Sequence, residues 1–199
     1  MTSLRLNAFL GLLFLCFCSG VALAQRPGPQ FWRRATCQPY EPRTKLEDFE
    51  TRYGTMVFKG FTRIQPLDFH GVLIDAVELR EVGDNARASG LTITLLPGSD
   101  QQQRDNRAFV DYEEIDTLVN VIDTLSRANE TMTKMVGFEG RYRTKGDLEL
   151  RVFRQTRSGT AVTLTTGICE QALVTLSLDD LARVKAMILE AKARLDESK

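Results

Sequence analysis

The chain has little of the residue types that usually signal a specific chemistry. Among its 199 residues there are one histidine, one tryptophan and four cysteines, and aromatic residues make up only 8%. The 26 basic residues balance 26 acidic ones, so there is no global electrostatic argument for nucleic acid, an anionic membrane or a cationic partner. The rest of the composition, 43% apolar and 26% charged, is that of an ordinary globular protein. It excludes collagen-like, low-complexity and wholly disordered classes.

Long apolar runs are absent except at the N-terminus. There, residues 8–18 (AFLGLLFLCFC) follow Arg5 and precede Ala22-Leu23-Ala24. A positive start, an apolar stretch of about 7 to 15 residues and an A-x-A site are typical of a cleavable signal peptide. A membrane-spanning helix needs about 20 apolar residues, and a retained anchor is the alternative. We therefore predict a signal peptide over residues 1–24, secretion or periplasmic export, and no membrane span in the mature chain.

Two features acquire meaning if the chain is exported. Cys37 and Cys169 would be the two cysteines of the mature chain. In an oxidising compartment they predict a disulfide between the N-terminal segment and the last part of the domain. The alternative is a buried Cys169 with a loose Cys37. Asn129 begins an N-x-T sequon, which predicts a glycan if the source is eukaryotic.

Composition divides the mature chain into an arm and one domain. Residues 25–45 contain four of the six prolines and five basic residues against one acidic residue. Because proline removes a backbone donor and fixes the backbone, this segment predicts an extended, basic N-terminal arm. Residues 46–199 are long enough to form a single domain with its own core.

The domain sequence alternates between strand and helix patterns in an order that occurs twice. Four short β-branched or aromatic runs precede a helix whose apolar stripe includes Ile115, Leu118 and Ile122. Four more runs precede a second helix with Leu181 and Val184 in its stripe. This order predicts an α+β fold of antiparallel sheets with two amphipathic helices, arranged as two strands-then-helix halves. The predicted strands are 55–61, 72–81, 91–96, 108–111, 138–144, 148–154, 161–168 and 173–176.

The two helix starts have similar capping patterns. Asp111 is followed three residues later by Glu114, and Ser177 is followed three residues later by Asp180. Residues 110–115 (VDYEEI) and 176–181 (LSLDDL) match in chemical type, which suggests an internal duplication, although any strand-to-helix junction needs such caps.

Several strands followed by a helix, used twice, is similar to the element order of the whirly and PUR folds, which bind single-stranded nucleic acid on their sheets. The resemblance implies that a sheet of this protein carries nucleic acid. Neutral charge and predicted export argue against that ligand.

No stretch contains a complete catalytic or metal-binding motif. A catalytic role for His70 would need Asp68 or Asp75 to orient it and a serine nearby, but a turn residue is the simpler interpretation. One histidine and two distant cysteines also lack the paired spacing of a zinc site.

The acidic run at the start of the first predicted helix has two interpretations. Asp111, Glu113, Glu114 and Asp116 offer oxygen ligands suitable for calcium. Carboxylates are also favoured in the first turn of a helix, and no calcium-loop motif is present. We therefore predict no metal and no cofactor.

The segment 141–157 is locally basic, with six basic residues against two acidic ones. Because side chains alternate along a strand, Arg141 and Arg143 should share one face, opposite Tyr142. Such a face suits an anionic ligand, and Phe153 and Tyr142 suit a nucleobase. The alternative is a solvated face whose charges guard edge strands. The candidate binding residues are Arg141, Tyr142, Arg143, Arg151 and Phe153.

Taken together, the sequence favours an exported, non-enzymatic binding or interaction domain whose partner is an unknown protein or an anionic ligand. The alternatives are a small secreted hydrolase or lyase that uses acidic residues, and a sheet protein that binds nucleic acid or anions. A homodimer formed through the helices is a further hypothesis, which predicts leftover apolar surface on them.

Overall fold

The computed structural model describes residues 41–65, 69–96, 106–128, 132–135, 137–155, 159–167 and 171–199. These residues belong to the unit Thr36–Lys199. The predicted signal peptide, residues 25–40 of the predicted arm, Cys37, Asp68, Asn129 and Cys169 lie outside the described residues.

The described residues form two antiparallel four-stranded sheets and three α-helices, which confirms the predicted α+β class and its strands-then-helix order. The first half contains α1 (Lys45–Thr51), β1 (Val57–Arg63), β2 (Val72–Glu81), β3 (Arg87–Leu95), β4 (Arg107–Asp111), a single 3-10 turn (Tyr112–Glu114) and α2 (Ile115–Ser126). The second half contains β5 (Glu139–Arg143), β6 (Glu149–Gln155), β7 (Gly159–Thr166), β8 (Ala172–Leu176) and α3 (Leu178–Glu197).

Each sheet follows chain order, β1-β2-β3-β4 in the first sheet and β5-β6-β7-β8 in the second. The inner faces of both sheets supply one hydrophobic core together with α2 and α3. Helix α3 packs against both sheets and against α2. Fully buried members of this core include Ile93, Leu118, Leu150, Val162 and Leu181.

The outer face of the first sheet carries a second, smaller core. Leu46 and Phe49 of α1 pack there with Val77, Leu79 and Ala88. Helix α1 was not predicted, although Thr44 and Glu47 form a complete capping box at its start. Its N-cap and first residue fall within the segment 25–45 that the composition describes as an arm.

The two predicted helix caps have different outcomes. The Ser177 hydroxyl accepts the backbone N–H of Asp180, and the Asp180 carboxylate accepts the N–H of Ser177, which confirms the cap of α3. Asp111 stands at the predicted position but its side chain caps neither the 3-10 turn nor α2, so the prediction of its role was wrong. Because β4 lies beside α1, the Asp111 carboxylate instead accepts the first two backbone N–H groups of α1, those of Lys45 and Leu46, at 2.9 and 3.2 Å.

The turn between β5 and β6 contacts the first sheet through backbone atoms. The N–H of Phe109 in β4 donates to the carbonyl of Gly146 at 3.0 Å. A Cβ added at Gly146 would lie 2.1 Å from the Phe109 carbonyl oxygen, so this approach requires glycine. The contact holds the β5–β6 turn against the edge of the first sheet.

No helix among the described residues combines the length and apolar character needed to cross a bilayer.

Candidate functional site

The predicted basic surface lies on the outer face of β5 and β6. Leu150 and Val152 of β6 are buried, so their neighbours along the strand face outward. We call the outward-facing residues of the two strands the arginine face. They are Glu139, Arg141, Arg143, Glu149, Arg151 and Phe153.

Two arginines of this face are direct cross-strand partners. Arg141 of β5 is paired with Arg151 of β6, and both side chains lie on the same side of the sheet. Like charges placed directly opposite each other destabilise an antiparallel pair. The local sequence therefore retains an arrangement that sheet stability alone disfavours.

The three arginines of the arginine face differ in how many carboxylates lie near them. Arg151 is flanked by Glu149 at 2.9 Å and Glu139 at 3.4 Å. Arg143 reaches Asp147 at 3.0 Å. Arg141 has no acidic partner within ion-pair distance among the described residues and is exposed. Its guanidinium is therefore the one on this face whose charge is available to a ligand.

Asp147 fixes the turn that supports the arginine face. It has a left-handed backbone with φ of 64° and is only 4% exposed. Its Oδ1 accepts from Arg43 and Arg143, each at 3.0 Å. Two guanidinium groups thus compensate one buried carboxylate, which ties Arg43 to the β5–β6 turn.

Tyr142 lies on the opposite side of β5 from the arginines, as strand alternation predicts. It packs against the main core, and its hydroxyl donates to Glu114 over a long 3.5 Å. Burial and the nearby Glu114 carboxylate raise the pKa of Tyr142, because both disfavour the phenolate. The structure therefore brings together four of the five candidate residues, Arg141, Arg143, Arg151 and Phe153, and separates Tyr142 from them.

The arginine face continues onto β7 and β8 as a surface of short side chains. The register aligns Arg141, Arg151, Thr163 and Thr175 in one row across all four strands. Thr165 and Leu173 form a parallel row with Glu149. Thr163 is only 9% exposed, so the exposed polar groups of this row are the guanidinium groups at one end and the Thr175 hydroxyl at the other.

His70 does not form the arrangement that a serine nucleophile needs. Its Nε2 lies 3.5 Å from the Asp180 carboxylate, whose other oxygen accepts the Ser177 hydroxyl at 2.7 Å. The carboxylate stands between hydroxyl and imidazole, so the imidazole is not placed to take the serine proton. The Ser177 hydroxyl is also the main cause of the lowered pKa of Asp180. Asp75, considered as the orienting acid, is held by Arg63 instead.

The acidic run 111–116 is divided among separate partners rather than gathered around one point. Asp111 caps α1, and Glu113 pairs with Lys45, which lowers the pKa of Glu113. Glu114 accepts the N–H of Lys145, and Asp116 pairs with Lys192. Among the described residues, no group of three or more histidine, cysteine, aspartate or glutamate side chains is placed to hold a metal ion.

Sequence reasoning missed an open cleft of about 480 Å³ beside α1. Five basic residues line it, but most have acidic partners nearby: Lys45 pairs with Glu113, and Arg52 with Asp48 and Glu81. The capping box at Thr44 is the signal that would have placed α1, and with it the cleft. The lining residues are Pro42, Arg43, Thr44, Lys45, Asp48, Phe49, Arg52, Arg87, Asp111 and Lys145.

Comparison with known proteins assigns no role to the arginine face. No family model, curated protein or solved structure matches the chain. The comparisons therefore give no support to the similarity to the whirly and PUR folds, which rests on the element order of the sequence alone.

Proposed function

We propose that the chain is an exported, non-enzymatic binding domain that takes a sulfate- or phosphate-bearing ligand on the arginine face. The observation that carries this proposal is the cross-strand pair of Arg141 and Arg151, in which Arg141 has no acidic partner among the described residues. An anion bound by Arg141 would pair the one guanidinium of this face that has no acidic partner in the described part of the chain and would offset its repulsion with Arg151. Export is supported by the N-terminal sequence pattern.

The shape of the surface favours an extended polyanion over a small metabolite. The row from Arg141 to Thr175 crosses four strands, a distance of about 14 Å at the usual strand spacing. Guanidinium forks match the oxygens of sulfate and phosphate, and the exposed Thr175 hydroxyl is a donor for the same groups. A sulfated glycan offers such groups at intervals and belongs to the compartment that the signal peptide predicts.

The test is binding to heparin, a sulfated glycan, by the wild-type chain and by Arg141→Ala. We expect about tenfold weaker binding for Arg141→Ala, since a charged hydrogen bond contributes about 1.5 kcal/mol or more. Arg194→Ala is the matched control, because it removes the same charge from α3, where Arg194 is paired with Glu197. Equal losses in the two variants, or no loss in either, would contradict a site on the arginine face.

A second candidate ligand, single-stranded nucleic acid, is favoured by one observation: Phe153 lies on the arginine face, where a base would stack. Phe153→Ala separates the two ligands. Stacking contributes about 1 to 3 kcal/mol per base, so an oligonucleotide should lose at least fivefold in affinity with this variant. Heparin binding should change less, since its sulfate groups bind guanidinium groups rather than an aromatic ring.

A further inference from the structure

Exposed apolar side chains concentrate at one edge of the first sheet, remote in sequence from the arginine face. Met56, Phe58 and Phe61 are 64%, 62% and 63% exposed. Tyr53 and Val82 are also exposed and flank the same strand. Among the described helices, Leu189 is the exposed large apolar residue. On the described helices the exposed large apolar surface is that of Leu189, which is less than this sheet edge offers.

Among the described strands, β1 pairs with β2 alone, so its backbone leaves a row of hydrogen-bonding groups open at this edge. The Val82 N–H donates to the Met56 carbonyl, and the Ile64 N–H donates to the Ile74 carbonyl, each at 2.9 Å. Even-numbered residues of β1 therefore direct their N–H and C=O groups toward β2. Because these directions alternate in an antiparallel ladder, the odd-numbered residues direct theirs away from the sheet. The open groups belong to Val57, Lys59, Phe61 and Arg63.

The charged residues on this edge give it little protection against pairing with another strand. Lysine and arginine on an edge strand usually discourage pairing because their charges would meet another chain. Lys59 is already paired with Glu50, and Arg63 with Asp75 at 2.8 Å. Since both side chains are held in ion pairs within the chain, their charges repel an approaching strand less than unpaired charges would, although the charges are still present to influence its register.

We propose that the partner of this edge is a second copy of the chain, with β1 pairing antiparallel to β1 across a two-fold axis at Gly60. This register places Val57 opposite Arg63, and Lys59 opposite Phe61. In this register each odd-numbered residue of one β1 lies opposite an odd-numbered residue of the other. The open N–H and C=O groups of Val57, Lys59, Phe61 and Arg63 therefore form hydrogen bonds with each other across the axis. The result is one continuous eight-stranded sheet.

Self-complementarity is what selects a second copy and this register. Lys59 opposite Phe61 sets an ammonium against an aromatic side chain, which is favourable. Moving the axis by one residue in one direction puts Lys59 opposite Lys59, and in the other direction puts Lys59 opposite Arg63. Both alternatives place like charges opposite each other. At the proposed axis, where the two Cα atoms approach to about 4.5 Å, the residue is Gly60, which has no side chain to collide.

A proline at position 59 tests the proposal, because it removes a backbone donor from the open edge of β1 only. Lys59→Pro removes an N–H that points away from β2, so the β1–β2 ladder keeps its hydrogen bonds. Lys59→Ala is the matched control, because it loses the same pair with Glu50 but keeps the N–H. By sedimentation velocity over a range of concentrations, we expect wild type and Lys59→Ala to sediment as dimers and Lys59→Pro as a monomer.

A second variant keeps the test decisive if proline disturbs folding. A Cβ at Gly60 would have the Glu78 carbonyl oxygen, at 4.0 Å, as its nearest neighbour, and the position is exposed, so the first side-chain atom of Gly60→Arg is accommodated within one copy. In the dimer it would bring two arginines together at the axis, and we expect a monomer with an unchanged circular dichroism spectrum. A wild type that stays monomeric at all concentrations would overturn the proposal, as would dimers that persist in folded Gly60→Arg.

Disulfide cross-linking tests the proposed register between the two copies of β1. Gly60→Cys should form an intermolecular disulfide on mild oxidation, because only residue 60 faces its own copy within bonding distance. Phe58→Cys is the control, since position 58 would face Thr62 and should not cross-link. Cross-linking of Phe58→Cys in preference to Gly60→Cys would overturn the proposed axis.

Discussion

The two halves of the molecule share an order of elements and differ in how they treat their outer faces. Both contribute four antiparallel strands and then a helix to one core. In the first sheet, α1 covers part of the outer face and encloses a second core around Leu46 and Leu79. In the second sheet, the outer face of β5 and β6 bears the charged side chains of the arginine face.

The residue pattern of the strands explains this difference. Strand β2 buries Val72 and Ile74 on its inner face and Val77 and Leu79 on its outer face, so it is apolar on both sides. Strand β6 alternates strictly between buried and partly exposed residues over Glu149–Phe153. A strand that is apolar on both faces needs a cover on each. The same architecture thus covers part of one outer face with a helix and leaves charged side chains on the other.

The largest expected effect comes from truncating a side chain on each outer face. Leu79→Ala should lower the free energy of unfolding by about 2 to 5 kcal/mol, because it opens a cavity beneath α1. Phe153→Ala should cost about 1 kcal/mol or less, since the ring is only half-buried on a polar sheet surface. Urea unfolding of both variants measures the contrast. Comparable losses would mean that the second outer face is also a structural core.

A smaller effect is expected where the halves meet through backbone atoms. Gly146→Ala forces a Cβ against the Phe109 carbonyl and should cost about 1 to 3 kcal/mol. Amide exchange at Phe109 should also accelerate, since its N–H donates to Gly146. Gly137→Ala is the control, because a Cβ there meets nothing within 4 Å. If both substitutions were equally mild, the turn contact would contribute little to joining the halves.

Much of this fold could be predicted from periodicity. Alternation located the eight strands, and the stripes through Leu118 and Leu181 located α2 and α3. Helix α1 was missed because its seven residues are too short for a convincing stripe and follow a proline-rich segment. The apolar outer face of β2, read together with the capping box at Thr44, was the combination that pointed to it.

The candidate site was predictable only in part. The alternation of side chains along one strand can be predicted from the local sequence, whereas the register between two strands cannot. Alternation placed Arg141 and Arg143 together and Tyr142 on the other side. That Arg141 faces Arg151 depends on the length and shape of the β5–β6 turn, which a left-handed Asp147 and the close approach of Gly146 determine. The exposed edge at β1 likewise depends on strand order, which alternation does not reveal.

The smallest of the three effects concerns a second cap that only the first of the two capping-box helices receives. Helices α1 and α3 each begin with a capping box, at Thr44 and at Ser177, and α1 is also capped across the fold by Asp111 at the end of β4. Asp111→Ala should cost about 1 kcal/mol, as the loss of a helix cap usually does. Hydrogen exchange should accelerate at the amides of Lys45 and Leu46 and stay unchanged in the first turn of α2. Faster exchange in α2 instead would show that Asp111 serves the helix that follows it in sequence, as Ser177 serves α3.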